Sequence, residues 1–549
     1  MLKRRDRFSI IITLLMLVVL IFAITMQAVL SAPAPAQPAK YVIVMIADGW
    51  GPQHIAAANA YNGTVPAYQS WSNYWTTTYA RGGAYDPQLA WSDFDYVQNG
   101  ATDSAAAATA LFCGVKTNDG RIAVSHDNKR LYAITEKARA LGKAVGAVTS
   151  VYASHATPGA WMAHNDARNN GYALADEGFW GDPNTTGTTI DSPYYNGGYG
   201  ATNPPLNVII GAGHPNWNGD HYINHAIRNK LAAENGQAGA FTFVERIAGN
   251  PDGGERLLDA ANQLNVTRLA GLFGGGAGNL DYRFANGSGH NPENPTLAQM
   301  TTAALTVLNR DPQGFMLLVE GGAVDWAGHL NQMDWMLGEM LGFNTAVDMV
   351  IEWVEEPTNG SNWQNTLVIV TGDHETGYLT AGPGIFQDEP LGLVNANTLM
   401  LEKPVANSGR RASWQDGNGN NLIDVGETVY WAWNSDSHTN TLVPLYAKGV
   451  GADQFAAYAV GVDPVRGAYL DNTDVFKVLD TAVYEPTPTP TSTSTSTLTS
   501  TPSITSTSSV TPVATTTPAG NVTSTPALTP TRLPPIEKGQ YLPIIQGGK

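Results

Sequence analysis

The chain of 549 residues contains one cysteine, Cys113, which excludes an intramolecular disulfide. Cys113 lies three residues beyond an alanine run, with no partner base nearby. It reads as a packing residue rather than a nucleophile. Positive charge is also scarce: 30 Lys and Arg face 47 Asp and Glu, for a formal net charge of −17. The basic residues are scattered and form no patch, so no nucleic-acid binding is expected. There is no internal repeat outside a Thr/Pro-rich tail.

Two terminal stretches differ from the rest. Lys3-Arg4-Arg5-Asp6-Arg7 precedes an apolar run from Phe8 to Leu30, followed by Ser31-Ala32-Pro33-Ala34. Residues 1–32 read as an export signal cleaved near Ala32, or else as an uncleaved anchor, with 33–40 as a short linker. Either reading puts the rest of the chain outside the cytoplasm, in the periplasm, at the cell surface or in the medium. Residues 486–535 are a Thr/Ser/Pro-rich stretch without the apolar residues a core needs, expected to be a disordered, stalk-like linker. Residues 536–549 end the chain in a tip containing Tyr541-Leu542-Pro543-Ile544-Ile545, which reads as a surface-attachment element.

Between these lie about 440 residues, enough for one large α/β domain over 41–485. Short apolar runs at Tyr41–Ala47, 144–149, 207–210, 315–319 and 367–370 read as buried strands. Helical periodicity at 131–141, 255–264, 296–309 and Met333–Glu355 alternates with them. The pattern predicts a large, mostly parallel central sheet with helices on both faces. Gly/Asn/Tyr-rich stretches at about 171–205 and 381–434 read as surface insertions near the site.

Functional groups of such sheets gather beyond the carboxyl ends of strands. Asp48 follows the first strand, Glu320 the run 315–319, and Asp373-His374 the run 367–370. Ser104 begins the helical stretch Ser104-Ala105-Ala106-Ala107-Ala108-Thr109-Ala110, with Asp103 as its N-cap. The unpaired N–H groups and positive dipole end of such a helix favour an anion. Asp325 and His329 are four residues apart, a spacing that puts both on one face of a helix within reach of one metal ion.

Asp48-Gly49-Trp50-Gly51, Thr102-Asp103-Ser104-Ala105-Ala106, His155-Ala156-Thr157-Pro158, Glu320-Gly321-Gly322-Ala323-Val324-Asp325 and Thr371-Gly372-Asp373-His374-Glu375-Thr376 together resemble the motifs of the alkaline phosphatase family. They occur in the family's order, and the resemblance covers most of 41–485. It implies an exported phosphate-monoester hydrolase acting on small phosphate monoesters. Ser104 would attack in line, form a phosphoserine intermediate, and be freed by metal-bound hydroxide.

Carried over by position, Asp325, His329 and His438 correspond to a first zinc site. Asp48, Asp373 and His374 correspond to a second. Asp48, Thr157 and Glu320 correspond to a third, magnesium site, and Arg168 to the phosphate clamp. Such cations reverse the local field of an acidic protein. Two departures concern the metals. His155 stands where some members have aspartate, and Trp326 where others have lysine or histidine. This pair is similar to relatives of different metal preference, so cobalt or magnesium in place of zinc is also implied. His155, Trp326 and Asp103 are expected to support the site rather than bind metal, because Thr157 and Glu320 already supply ligands to the third ion. A homodimer is likewise implied. His54, His126, His164, His214, His221, His225 and His290 match no motif and read as surface or packing residues.

A separate calcium signal lies in the second insertion. Asp416, Asn418, Asn420, Leu422, Asp424 and Glu427 follow the spacing of an EF-hand loop, with Asn421 where glycine is usual. A structural calcium ion is expected there, against an Asn/Gly turn held by its own hydrogen bonds.

Two alternatives from the same superfamily and one from a different class compete with this reading. A phosphodiesterase of the same superfamily would differ in pocket walls supplied by the insertions; a sulfatase would need Cys/Ser-x-Pro-x-Arg, and Ser104 is followed by alanines. A non-catalytic, stalked surface-binding module is the reading from a different class, and the complete ligand sets argue against it.

Overall fold

A computed structural model describes residues 38–181, 204–387 and 389–483. The export-signal reading, the Thr/Pro linker, the C-terminal tip and 182–203 of the first insertion lie outside the described residues. An eleven-stranded sheet forms the centre, in the order Gly461–Asp463, Gly467–Leu470, Ser72–Thr76, Val443–Gly449, Thr366–Thr371, Tyr41–Ala47, Phe315–Gly321, Ala144–Tyr152, Val208–Ala212, Leu269–Leu272, Thr242–Glu245. From Thr366–Thr371 to the Thr242–Glu245 edge every pairing is parallel. At the other side Val443–Gly449 runs antiparallel to both of its neighbours. The expected mostly parallel sheet is present, with an antiparallel extension that short or half-polar strands concealed.

The strand Tyr41–Ala47 is buried along its whole length, and successive side chains point to opposite faces. Tyr41, Ile43, Met45 and Ala47 pack with the helices Leu297–Leu308, Met333–Glu355 and Pro52–Asn62 through Met300, Leu305, Met340, Phe343, Val347 and Ile55. Val42, Val44 and Ile46 face Ala105, Leu111 and Phe112 of the helix Ser104–Cys113, and Phe476 and Leu479 of Thr473–Ala482. Continuous apolar strands are therefore what a sheet covered on both faces requires.

Helix ends follow local capping chemistry. Thr296 Oγ1 accepts the Gln299 N–H at 3.2 Å while Gln299 Oε1 accepts the Thr296 N–H at 2.9 Å, so Leu297–Leu308 starts where the sequence predicts. The helix expected over 131–141 is confined to Ile134–Ala140, because Glu136 folds back onto the Ala133 N–H at 2.9 Å and fixes the first turn there. The second insertion is more ordered than a surface loop. Leu379–Thr380, Val429–Trp433, Arg411–Trp414 and Glu402–Pro404 form an antiparallel sheet, and Trp414, Trp431 and Trp433 are fully buried. Cys113 is buried, and burial pushes its thiol pKa up, in keeping with a packing role.

Candidate active site

Every strand-end residue singled out in the sequence reaches one region. Asp48 follows Tyr41–Ala47 directly, Glu320 is the penultimate residue of the strand Phe315–Gly321, and Asp373 lies two residues beyond Thr366–Thr371. Asp325 and His329 sit on the helix Ala323–His329. His438 opens a two-residue strand paired with Glu375–Thr376, with His438 opposite Thr376. The close approach depends on Gly49, at φ +77, because a Cβ there would lie 2.6 Å from the Asp325 Cα.

Ser104 is the first residue of its helix, 1 % exposed, with its hydroxyl 3.1 Å from His374 Nε2. Asp103 caps the helix by accepting the Ala106 N–H at 2.8 Å. The first two amides of the helix have no intrahelical acceptor, a setting that favours an anion. The other Asp103 oxygen accepts Arg168 Nη1 at 2.9 Å, and Arg168 Nη2 donates to His155 Nε2 at 3.3 Å. Guanidinium only donates, so His155 Nε2 carries the lone pair and its proton sits on Nδ1. Burial and the neighbouring Arg168 lower the His155 pKa to about 3 and keep the ring neutral.

The carboxylates behind Ser104 are crowded. His374 Nε2 lies 3.2 Å from Asp373 Oδ2 and 3.6 Å from Asp48 Oδ1. Asp373 Oδ1 accepts the N–H groups of Gly49 at 3.1 Å and His374 at 2.9 Å. Burial, then the charges of Asp373, Asp325 and Glu320, raise Asp48 well above the usual carboxylate range. Burial also pushes Glu320 up to about 7 and Asp373 to about 6. Burial acts to raise Asp325 as well, but the imidazoles of His329 and His438 outweigh it and hold that carboxylate low. Burial and the neighbouring His438 keep His374 neutral.

This donor set fits divalent cations. Neither Asp48 oxygen, nor Asp373 Oδ2, nor Glu320 Oε1 accepts a well-formed hydrogen bond from any described residue, and buried carboxylate oxygens need a donor or a cation. Potential ligand atoms within 4.8 Å of one another form three sets among the described residues: Asp325, His374 and His438; Asp48, Asp373 and His374; Asp48, His155 and Glu320. His329 joins the first, its Nε2 lying 3.3 Å from Asp325 Oδ2 and 3.0 Å from His438 Nε2. Thr157 is fully buried in the helix Ala156–Met162, beside Glu320.

Several supporting residues escaped the sequence reading. Thr149 and Thr376 donate hydroxyl bonds to Glu320 and Asp325, and nothing in a strand threonine marks that use. Tyr152, Tyr222 and Trp326 pack around His155, with Tyr222 and Trp326 ring centres 5.5 and 5.7 Å from the imidazole. Among the histidines outside the motifs, His54 accepts the Gly51 N–H, while His164 and His214 pair with Glu177 and Glu245.

The loop at Asp416 closes on itself. Asp416 accepts the N–H groups of Gly419, Asn420 and Asn421, Glu427 accepts those of Gly417 and Asp424, and Asn421 takes the left-handed φ of +59. The Lys403 ammonium pairs with Asp416 Oδ2.

A family model described as alkaline phosphatase matches residues 39–484. Alkaline phosphatase 4 of Bacillus subtilis is 29% identical over 477 residues, covering 80% of this chain and 89% of that protein. The Escherichia coli alkaline phosphatase is 29% identical over 360 residues, 62% of this chain and 70% of its own. Among solved structures, the Thermus thermophilus alkaline phosphatase has a TM-score of 0.55 at 22% identity, covering 82% of this chain and 92% of its own. A histidine-to-aspartate mutant of the TAB5 alkaline phosphatase, solved with Mg bound in its M3 site, has a TM-score of 0.54 at 20% identity, covering 82% of this chain and all of its own.

Proposed function

This chain belongs to the alkaline phosphatase family and is a phosphate-monoester hydrolase, and we propose that Ser104 is its nucleophile. The observation that carries the proposal is the Ser104 hydroxyl 3.1 Å from His374 Nε2, at a helix N-terminus, with Arg168 tied to the capping Asp103.

Asp325, His329 and His438 would hold one cation, and Asp48, Asp373 and His374 a second with Ser104. Asp48, Glu320 and Thr157 would hold a third. We assign zinc to the first two and magnesium to the third, with cobalt or magnesium as substitutes for zinc. When bound, such ions supply Lewis-acid charge that favours the serine alkoxide and neutralises the buried carboxylates. Arg168 and the amides at the head of the Ser104 helix bind the non-bridging oxygens of the ester. Ser104 Oγ then attacks phosphorus as the bond to the leaving oxygen breaks, releasing the alcohol. Water attacks the phosphoserine from the vacated side, the Ser104 Oγ–P bond breaks, and phosphate leaves. His155 supports Arg168, since ligation through Nε2 would cost that hydrogen bond.

Export rests on the N-terminal charge and apolar run; no helix among the described residues is long and apolar enough to cross a membrane. Surface attachment through 536–549 and homodimerisation are further parts of the proposal. The first is tested by whether deleting 537–549 shifts the enzyme from cell to medium, the second by its mass in solution.

Ser104→Ala tests the mechanism. Alanine is the best helix former and the Asp103 cap is untouched, so the fold should persist. Turnover should fall by about a thousandfold or more, with no burst on an aryl phosphate. A retained burst would sink the assignment.

A further inference from the structure

The turn Asn118-Asp119-Gly120 has no role in the chemistry above, yet it joins the two halves of the anion site. Asp119 Oδ1 accepts the Asp103 N–H at 3.2 Å. The Gly120 N–H donates at 2.9 Å to Asp103 Oδ2, the same oxygen that accepts Arg168 Nη1. The Gly120 carbonyl accepts the main-chain N–H of Arg168 at 2.7 Å. One dipeptide therefore grips the cap of the nucleophile's helix and, on its other side, the segment carrying the arginine.

Gly120 has φ +81, and no atom lies within 4 Å of where its Cβ would stand. Glycine is needed there for its backbone conformation and not for space. With Gly120 and Arg168 both donating to Oδ2, the Asp103 carboxylate is fixed in rotation. The long arginine side chain is then anchored at its backbone and at its guanidinium before substrate arrives. Ordering it in advance removes an entropic cost from binding.

We propose that Asp119 and Gly120 are positioning residues for Arg168: by hydrogen bonding to Asp103 and to the Arg168 main chain, they preset the guanidinium for the phosphoryl group. This rests on the reading of Arg168 as the clamp. The Asp119 contribution is its acceptor oxygen, which an amide can replace.

The test uses the full-length, metal-loaded enzyme and measures kcat and KM for an aryl phosphate and inhibition by inorganic phosphate. Asp119→Ala and Gly120→Ala should each raise KM and the phosphate inhibition constant roughly five- to fiftyfold, with kcat within about threefold of the parent. Asp119→Asn should restore both constants to within about threefold. In an Arg168→Ala background, Asp119→Ala should have no further effect on phosphate affinity. The inference fails if Arg168→Ala weakens phosphate binding while Asp119→Ala and Gly120→Ala stay within twofold of the parent. It fails too if Asp119→Asn behaves like Asp119→Ala, or if the effects of Asp119→Ala and Arg168→Ala multiply. If Arg168→Ala itself leaves phosphate inhibition unchanged, the clamp reading falls, and this inference with it.

Discussion

His329 and His438 are 109 residues apart in sequence and point their Nε2 atoms at each other across 3.0 Å. Each ring donates its Nδ1 proton to a main-chain carbonyl, His329 to Asp436 at 2.6 Å and His438 to Thr102 at 2.7 Å. With both Nδ1 atoms so engaged, the two Nε2 atoms are the ones turned to Asp325, which stands 3.3 Å from each and, outweighing burial, raises the His329 pKa to about 9. Two imidazole nitrogens and a carboxylate converging on one point need a positive charge among them, supplied by a proton or by a metal ion.

Chelation should accordingly abolish activity, and zinc, or cobalt or magnesium in its place, should restore it. His438→Ala should lower bound metal per chain and cut kcat/KM by about a hundredfold or more. Metal content measured alongside activity decides this; full metal content in His438→Ala would count against the first site.

Gly49→Ala should be among the most damaging small substitutions. The added Cβ would meet Asp325 Cα at 2.6 Å and its Oδ1 at 2.8 Å, on a backbone with φ +77. Left-handed strain and overpacking together predict a loss of about 2–5 kcal/mol in unfolding free energy. Metal content should fall too, because Asp325 must move. Denaturant unfolding within about 0.5 kcal/mol of the parent would contradict this.

Glu402 offers a pH test away from the residues proposed to bind metal. It accepts the Trp433 Nε1–H at 3.0 Å and the Met333 N–H at 3.1 Å, and burial pushes its pKa up to about 7 despite the nearby Arg411. A folded pKa above the unfolded value means its contribution to stability is full below the unfolded pKa and lost as pH rises through 7. Glu402→Gln keeps an acceptor without the charge. Relative to the parent it should gain about 1–2 kcal/mol between pH 5 and 8.5, a figure trimmed for its half-burial. A stability difference independent of pH would refute the assignment.

Calcium should stabilise the Asp416–Glu427 loop in enzyme whose other metals are already bound. At about a hundredfold excess over its dissociation constant, the gain in unfolding free energy would be about 2.7 kcal/mol. An unfolding temperature indifferent to calcium would mean that Lys403 and the loop's own hydrogen bonds are the whole story.

Much of this protein was legible in the chain because the physics involved is local. The assignment of alternate residues of Tyr41–Ala47 to the two faces of the sheet follows from a two-residue period, and the start of the Ser104 helix follows from one capping aspartate beside alanines. The positions of Asp48, Glu320 and Asp373 at strand ends follow from the same pattern of apolar runs. The short antiparallel strands and the packed insertion around Trp431 and Trp433 did not show, because neither length nor periodicity separates them from loops.

By itself, then, the sequence determined which side chains are candidates for the chemistry and which elements carry them. Only the tertiary structure decided how those side chains meet. It set the facing nitrogens of His329 and His438, the tautomer of His155 under Arg168, and the grip of Asp119 and Gly120 on Asp103 and the Arg168 main chain. The physical reason is that each depends on groups brought together from different elements. Direction and distance, which fix protonation and metal affinity, exist only once the sheet has closed around them.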